Sequence, residues 1–459
     1  MVEGIFPSQW KTARVIPIHK GEDIKNPSNC RPISILPVLS KIFEKHVNSQ
    51  IQKYLTTNKL LHKLQCGFRE GYSCVDSLHK LISDCLSARS DGNFVAMMFL
   101  DFKKAFDCVD HKILLEKLTM YGITGKLHSL IKSFLTDRTQ FVAIQQGTRS
   151  SKILPIDIGV PQGSILAPSL FLVYVINLLS YTLHSKAFAY ADDTVFVTKS
   201  DNFDTLNDLC DTDLHLIESW CRNNRMLLNI KKSHYMLVQP SHRATSQDLD
   251  LKINHTKLNR NVKTKLLGFT LNDSLTWDDH VDQICSKINK SLALFQKCRA
   301  FLDSKSSRNF YFQYVFCHMI YGIRIYGNLS PQYILERIYL LQKRAFRLIA
   351  NINHIPYHLV HTRDLHTSLG LIPFPLLAGH FTCIFGFQIL HLIAPDFLLE
   401  GFIPASSKTF FRDKHLLHYH TDQLRQKITT TFNSLPIQIR SATKLTHFKQ
   451  QLSKHLITY

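Results

Sequence analysis

Hydrophobic positions along the chain follow two periods, and their order sketches an α/β region with a helical region after it. Phe94-Val95-Ala96-Met97-Met98-Phe99-Leu100 is an unbroken apolar run that ends at Asp101. A second run, Phe188 to Phe196, is interrupted by the adjacent carboxylates of Asp192 and Asp193. Runs of this length, rich in aromatic and β-branched residues, read as buried strands. The second is expected to be a hairpin with the Asp pair at its turn. Residues 1–90 alternate short apolar stretches with basic and Pro-containing turns, then turn helical from about Val38 to Leu55. Leu114, Leu118 and Tyr121 fall at helical spacing before Gly122, a C-cap residue, and Leu127, Leu130, Ile131 and Phe134 form another stripe. Phe141–Gln145 and Lys152–Ile158 are expected to pair as strands around Gly147. This order describes an α/β domain with helices packed on one sheet face.

Further on, the polar stretch Pro240 to Asn261 reads as a surface loop, and Leu266 to Asp273 as a hairpin. From about Asp282 the pattern is helical. Leu341, Ala345 and Leu348 share one helix face, and Lys343, Arg344 and Arg347 the other, a basic face that is either solvated or laid along a duplex backbone. The most apolar late stretch, Leu376 to Ala394, contains His380, Gln388 and His391, so a buried helix is expected there rather than a membrane span.

Composition changes the picture in one respect. Hydrophobic residues make up 45% of 459, and charged residues 20%, which is globular and leaves room for two or three subdomains. Lys plus Arg number 55 against 35 acids, a net charge of +20 that favours polyanionic partners. The 11 cysteines show no C-x-x-C pair, so neither a zinc site nor a disulfide framework is expected, and they read as thiols of a reducing compartment. Glu3, Lys11 and Arg14 interrupt any secretory signal in residues 1–30. An intracellular location, in cytoplasm or nucleus and not in a membrane, follows as the expectation.

The three strand-end aspartates carry the chemistry. Two ionised side chains within an apolar run are costly unless a cation offsets their charge. One such residue reads as a turn or N-cap aspartate. A pair after an aromatic strand, with Asp101 on a second strand, points to a hard-oxygen site suited to magnesium.

Several ordered motifs resemble the reverse transcriptases of non-LTR (LINE-type, jockey-like) retrotransposons over most of the chain. Asn29-Cys30-Arg31-Pro32-Ile33-Ser34 looks like the fingers motif, followed by Gln65-Cys66-Gly67-Phe68-Arg69. Asp101-Phe102-Lys103-Lys104-Ala105-Phe106-Asp107 resembles motif A, Gly159-Val160-Pro161-Gln162-Gly163-Ser164 motif B, and Tyr190-Ala191-Asp192-Asp193 motif C. Leu228 to Ser233 looks like motif D, and Leu267-Gly268-Phe269 through Trp277 and His280 like motif E. A lone Y-A-D-D is weak; seven motifs in order are strong.

The resemblance implies a right-hand polymerase with fingers (1–93), an α+β palm (94–281), a helical thumb (282–350) and a C-terminal helical extension (351–459). It implies RNA-directed DNA synthesis from a DNA primer, an RNA template and dNTPs, with two magnesium ions, manganese being the alternative. Asp101, Asp192 and Asp193 would hold the metals. Asp107 is expected to begin a helix or orient neighbours instead. Phe106 matches the position that checks the nucleotide sugar, with a core aromatic as the other reading. Arg31 matches the fingers arginine on the triphosphate, with Lys20 as helper. Gln162 and Gly163 would approach nucleotide or template, ahead of a helix starting near Pro168. Lys232 is the candidate proton donor to pyrophosphate, Lys231 and a solvated lysine being the competing assignments. Lys343, Arg344 and Arg347 are the candidate nucleic-acid contacts.

The chain also departs from the family. Longer members carry an endonuclease ahead of the polymerase, whereas this chain begins almost at the fingers, as expected of a truncated copy. Cys30 stands where an aromatic is frequent and Cys74 where a small hydroxyl residue is frequent. The His-rich stretch with His415, His418 and His420 has no strand-end carboxylate pair, so no nuclease is expected there. An inactive nucleic-acid-binding remnant is the alternative from another class, and an intron maturase the nearer rival.

Overall fold

Two sheets organise the first of the chain's two units, which comprises Met1–Tyr72, Ala96–Tyr235 and Gln247–Arg260. The computed structural model describes residues 3–458 apart from 22, 24, 145–148, 241, 353, 405–414 and 420–422. In the smaller-reach sheet, β1 (Thr12–His19) pairs antiparallel with β2 (Cys30–Ile35), setting Ile18 opposite Arg31. After α1 (Val38–Thr57) and α2 (Cys74–Ser90) comes β3 (Phe94–Leu100), buried along its whole length. Helices α3 (His111–Met120) and α4 (Gly125–Leu135) follow, and β4 (Arg138–Ile144) then returns to run parallel to β1. The expected pairing after β4 is shifted: β5 (Arg149–Ser150) runs antiparallel to Ala143–Ile144, and β6 (Leu154–Ile156) pairs antiparallel with Arg138–Gln140 rather than with the stretch from Phe141, while Gln145 and Gly147 lie outside the described residues.

The second sheet carries the acidic residues. Helix α5 (Ala167–Val175) starts with Pro168 in its first turn, and β7 (Lys186–Tyr190) and β8 (Asp193–Ser200) form the expected hairpin. Helix α6 (Phe203–Asn223) is capped by Asn202, whose side chain accepts from the Thr205 amide, and it packs on β8. With β9 (His234–Val238), the strand order places β3 beside β8, so a fully buried strand runs next to the Asp hairpin.

The stretch expected to be a surface loop is not one. Pro240 to Asn261 contains β10 (Lys252–Ile253), β11 (Thr256–Lys257) and β12 (Asn259–Arg260), the last parallel to β9. Leu249, Leu251, Ile253 and Leu258 are buried. Three apolar residues at period two are too short a pattern to stand out against polar flanks.

The second unit comprises Ser73–Val95, Met236–Ser246 and Asn261–Tyr459. Its hairpin of β13 (Lys263–Leu266) and β14 (Phe269–Asn272) turns at Leu267-Gly268, as expected, and α7 (Asp278–Cys298) begins earlier than the apolar pattern suggests. Asp278 and Asp279 in its first turn favour that start. Helix α7 packs on the helix Gln332–Ala350, whose Leu341, Ala345 and Leu348 are buried. At the start of α2, Ser73 and Asp76 form a reciprocal capping box, so Cys74 in place of a hydroxyl residue leaves the cap intact. The helix Phe374–Leu390 buries Phe374, Leu377, Phe385, Phe387 and Ile389. Among the described residues no single helix is long and apolar enough to cross a membrane, and only Arg363–Leu369 with Phe374–Leu390, bent by 50°, passes the length and composition test together. His420 lies outside the described residues.

Candidate active site

The Asp pair sits on a turn that the backbone holds by force of geometry. Tyr190 and Asp193 are the last paired residues of the hairpin, leaving Ala191 and Asp192 as a two-residue turn in which Ala191 takes φ 62°. Such turns require left-handed backbone, which a residue other than glycine adopts at a cost. The Gln65–Arg69 segment supports it. Cys66 donates its amide to Ala189 O at 2.8 Å, Ala189 returns one to Leu64 O at 3.1 Å, and the Gln65 amide oxygen accepts from both Gly67 N and Ala191 N. A Cβ on Gly67 would lie 2.1 Å from Ala191 N, so only glycine allows this approach.

Asp101 is held from a different segment. Its Oδ2 accepts from Asn229 Nδ2 at 2.8 Å, its carbonyl accepts from Asn229 N at 2.7 Å, and its amide donates to Ser233 Oγ at 3.1 Å. Asn229 and Ser233 lie in the motif D-like segment, where only the lysines had drawn notice. Lys232 and Lys231 are exposed on that same turn, which Lys232 N closes by donating to Asn229 O.

The electrostatics join the two halves. Partial burial and the Asp101 charge push Asp192 above the ordinary carboxylate range, against the opposing pull of Arg31 and Lys20. Asp193 is pushed up to about 6 by partial burial and by the charges of Asp192 and Asp101. Asp192 and Asp193, both raised beside the Asp101 charge and with hard oxygens exposed, form with Asp101 a donor set that a divalent cation would relieve. Among the described residues no group of three or more His, Cys, Asp or Glu is already arranged to hold a metal ion. Arg31 and Lys20 are exposed at one end of the β1–β2 pair, with Lys20 N bonded to Asn29 O. Their charge reaches Asp192, which places them on the acidic site's side of the unit.

Phe106 is half-buried, stacked on Phe171 at 4.7 Å between centroids and met edge-on by Phe68 at 6.1 Å. Asp107 does orient a neighbour: its Oδ1 accepts from Gln162 Nε2 at 2.9 Å. Gly163 has a packing reason of its own, because a Cβ there would lie 2.2 Å from Ser34 O. Its φ of 131° is likewise glycine territory.

The basic helix face does not hold together as expected. Arg347 is 4% exposed and donates to the carbonyls of Ile352 and Ile355 beyond the helix end, so it ties the following chain to the helix instead of facing solvent. Lys343 is half-buried and paired with Glu336, and Arg344, bonded to Asn289, is the exposed member. The helical period puts Arg347 four residues beyond Lys343, where the chain turn covers it. His280, quoted in the motif E-like segment, is a scaffold residue: it stacks on Phe269 at 3.8 Å, and burial pushes it down to about 4.

The reverse transcriptase (RNA-dependent DNA polymerase) family matches residues 18–271, more than half of the chain, and the chain belongs to that family, with its right-hand polymerase fold. It is similar to the RNA-directed DNA polymerase from mobile element jockey of Drosophila melanogaster, 29% identical over 377 residues, covering 80% of this chain and 40% of that protein. It is also similar to the probable RNA-directed DNA polymerase from transposon BS of the same organism, at 28% over 383 residues, 80% of this chain and 41% of that one. The resemblance read from the motifs thus holds, and the chain spans about 40% of the length of these curated relatives. Among solved structures, apo telomerase from Candida tropicalis aligns with a TM-score of 0.43 and 13% identity, covering 82% of this chain and 63% of that one.

Proposed function

We propose that the chain is an RNA-directed DNA polymerase of the non-LTR retrotransposon type, extending a DNA primer on an RNA template with dNTPs. The observation that carries the reading is the convergence of Asp101, Asp192 and Asp193, from two neighbouring strands, into one mutually repelling set on a basic protein. The donor set fits two magnesium or manganese ions held by these three carboxylates. Bound there, such ions would activate the primer 3′-hydroxyl and stabilise charge on the departing pyrophosphate.

The chain's own residues supply the rest. Arg31, with Lys20 beside it, offers planar and point-charge donors to the triphosphate. Phe106, backed by Phe171, is the rigid floor against which a 2′-hydroxyl would clash. Asp107 fixes the amide of Gln162, so that side chain is presented in one orientation. Lys232, exposed on the turn anchored by Asn229, is our candidate proton donor to pyrophosphate. Fingers, palm, thumb and C-terminal extension at 1–93, 94–281, 282–350 and 351–459 remain our division of labour along the chain. The 11 free thiols support work in a reducing interior, in cytoplasm or nucleus. Retention of all three carboxylates with Gln162 and Arg31 argues against an inactive remnant.

The test is extension of oligo(dT) on poly(A) RNA with magnesium and dNTPs. The parent chain should extend, and Asp192→Asn should keep less than about a tenth of the rate while still binding the hybrid. A folded Asp192→Asn that extends as the parent does would overturn the assignment.

A further inference from the structure

One of the two fully buried acids among the described residues of the first unit, Glu44, is not one of the residues assigned above. Glu44, in the middle of α1, has no exposed surface, and its carboxylate is satisfied almost entirely by the segment that follows Gly163. Oε2 accepts from Ser164 Oγ at 2.5 Å, from Ile165 N at 2.8 Å and from Leu166 N at 3.3 Å, and Oε1 accepts from Ser40 Oγ at 2.6 Å. Ser164 Oγ in turn accepts from Leu166 N and Ala167 N, the free amides at the start of α5. The negative charge therefore sits where the helix start favours it, through one hydroxyl and two main-chain donors. Arg138, itself buried, lies near enough for the Glu44 charge to oppose the effect of burial on its guanidinium.

The neighbouring bonds show what this anchor controls. Ser34 N donates to Gln162 O at 2.7 Å, and Ser34 O fills the space that a Gly163 side chain would need. On the other side, Gln162 Nε2 reaches Asp107, Val160 N donates to Phe106 O at 2.9 Å, and Gly159 N donates to Val109 O at 2.8 Å. Residues 159–166 are thus stretched between the Phe106 segment on one side and β2 with α1 on the other. Glu44 holds the last of these attachments, and an acid so buried is expensive unless every lone pair is used.

We propose that Glu44 is a positioning residue for nucleotide binding: acting through Ser164 and the amides of Ile165 and Leu166, its carboxylate fixes the Gln162–Gly163 loop against Phe106 and Asp107, and so sets how tightly the incoming dNTP is held. The proposal rests on the polymerase reading. Glu44→Gln keeps the shape and one acceptor oxygen but removes the charge, and Ser164→Ala removes the hydroxyl link. Each should raise KM for dNTP by about tenfold, the order of one charge-assisted hydrogen bond, with kcat changed less than about twofold. Affinity for the RNA–DNA hybrid should not change. The double variant should be no worse than the worse single one, because both act through one contact.

Hydrogen exchange supplies a readout independent of activity. In Glu44→Gln the amides of Ile165, Leu166 and Ala167 should lose protection while those of β3 and β8 keep theirs. Unchanged KM for dNTP in both variants, or protection lost throughout the unit together with thermal stability, overturns the proposal in favour of a purely structural acid. Should Glu44→Gln fold poorly, Ser164→Ala carries the same comparison. A parent chain that extends no primer defeats the polymerase reading instead, and the exchange pattern then decides by itself whether Glu44 sets the loop.

Discussion

Asn229 tests whether Asp101 works because it is present or because it is held. Its Nδ2 donates to Asp101 Oδ2 at 2.8 Å, while two further ties, Asn229 N to Asp101 O and Asp101 N to Ser233 Oγ, use groups that survive truncation of the side chain. Asn229→Ala therefore removes one bond from three and leaves the turn closed. A hydrogen bond to a charged acceptor contributes about 1.5–3 kcal/mol, and the half-buried setting puts this one near the lower figure. If the bond serves to hold the carboxylate in its working orientation, that loss appears in the transition state, and about 1.5 kcal/mol corresponds to a fall in kcat of roughly tenfold. The stability loss should not exceed about 1.5 kcal/mol, the contribution of this one bond, since the main-chain ties persist. Single-turnover extension at saturating dNTP, beside a urea unfolding curve, separates the two. Asn229→Asp should be worse than Asn229→Ala, because it adds a fourth carboxylate to a set already repelling itself. A folded Asn229→Ala that extends within about twofold of the parent refutes the reasoning.

Phe106→Val should raise ribonucleotide incorporation relative to deoxynucleotide and cost about 1–2 kcal/mol through the lost stack on Phe171; unchanged sugar discrimination in a folded variant leaves only a core role. Asp193, raised to about 6 from 3.8, binds more protons folded than unfolded between those values, so its contribution to stability is present below pH about 4 and lost as pH rises through about 6. In metal-free buffer Asp193→Asn should flatten that part of the stability–pH curve, and magnesium should stabilise the parent more at pH about 7.5 than at about 5.5; equal magnesium stabilisation at both would count against the carboxylate site. Hybrid binding should weaken steeply with salt, and removing Lys343 and Arg344 together should flatten that slope, whereas Arg347→Ala should lower the unfolding midpoint; a shallower slope with unchanged stability in Arg347→Ala would contradict its role in tying down the chain beyond the helix.

What could be read from the chain alone was the family and the strands that bear its acidic residues. Asp101 and the Asp192–Asp193 pair were legible because charge inside an apolar run is rare enough to demand a reason, and the period-two and helical stripes around them are long. What could not be read were the residues that hold them. Asn229, Ser233, Ser34, Ser164 and Glu44 are ordinary polar residues in sequence, and their roles depend on partners far along the chain, 120 positions in the case of Glu44 and Ser164. The buried run Leu249 to Leu258 failed for the opposite reason, since its strands are only two residues long. Arg347 was misplaced because a helical wheel knows nothing of the chain that folds back over the helix end.

These supports share a design that explains why the glycines and small polar residues matter as much as the acids. The Asp hairpin is held by main-chain bonds from residues 64–67, Asp101 by the turn at 229–233, and the Gln162 loop by Ser34 and Glu44. Each anchor makes at least one bond to a main-chain group of its target, and Asn229 adds a side-chain bond to Asp101. Such close approaches tolerate no side chain at Gly67 in its anchoring segment or at Gly163 in the anchored loop, where a would-be Cβ lies within 2.2 Å of a backbone atom. Loss of activity from Gly67→Ala should therefore resemble loss of the hairpin turn more than loss of a contact, with Ala191 forced from its left-handed backbone. On the proposed reading three acids carry the chemistry, while the bonds that shape the site come from residues given no chemical role in it.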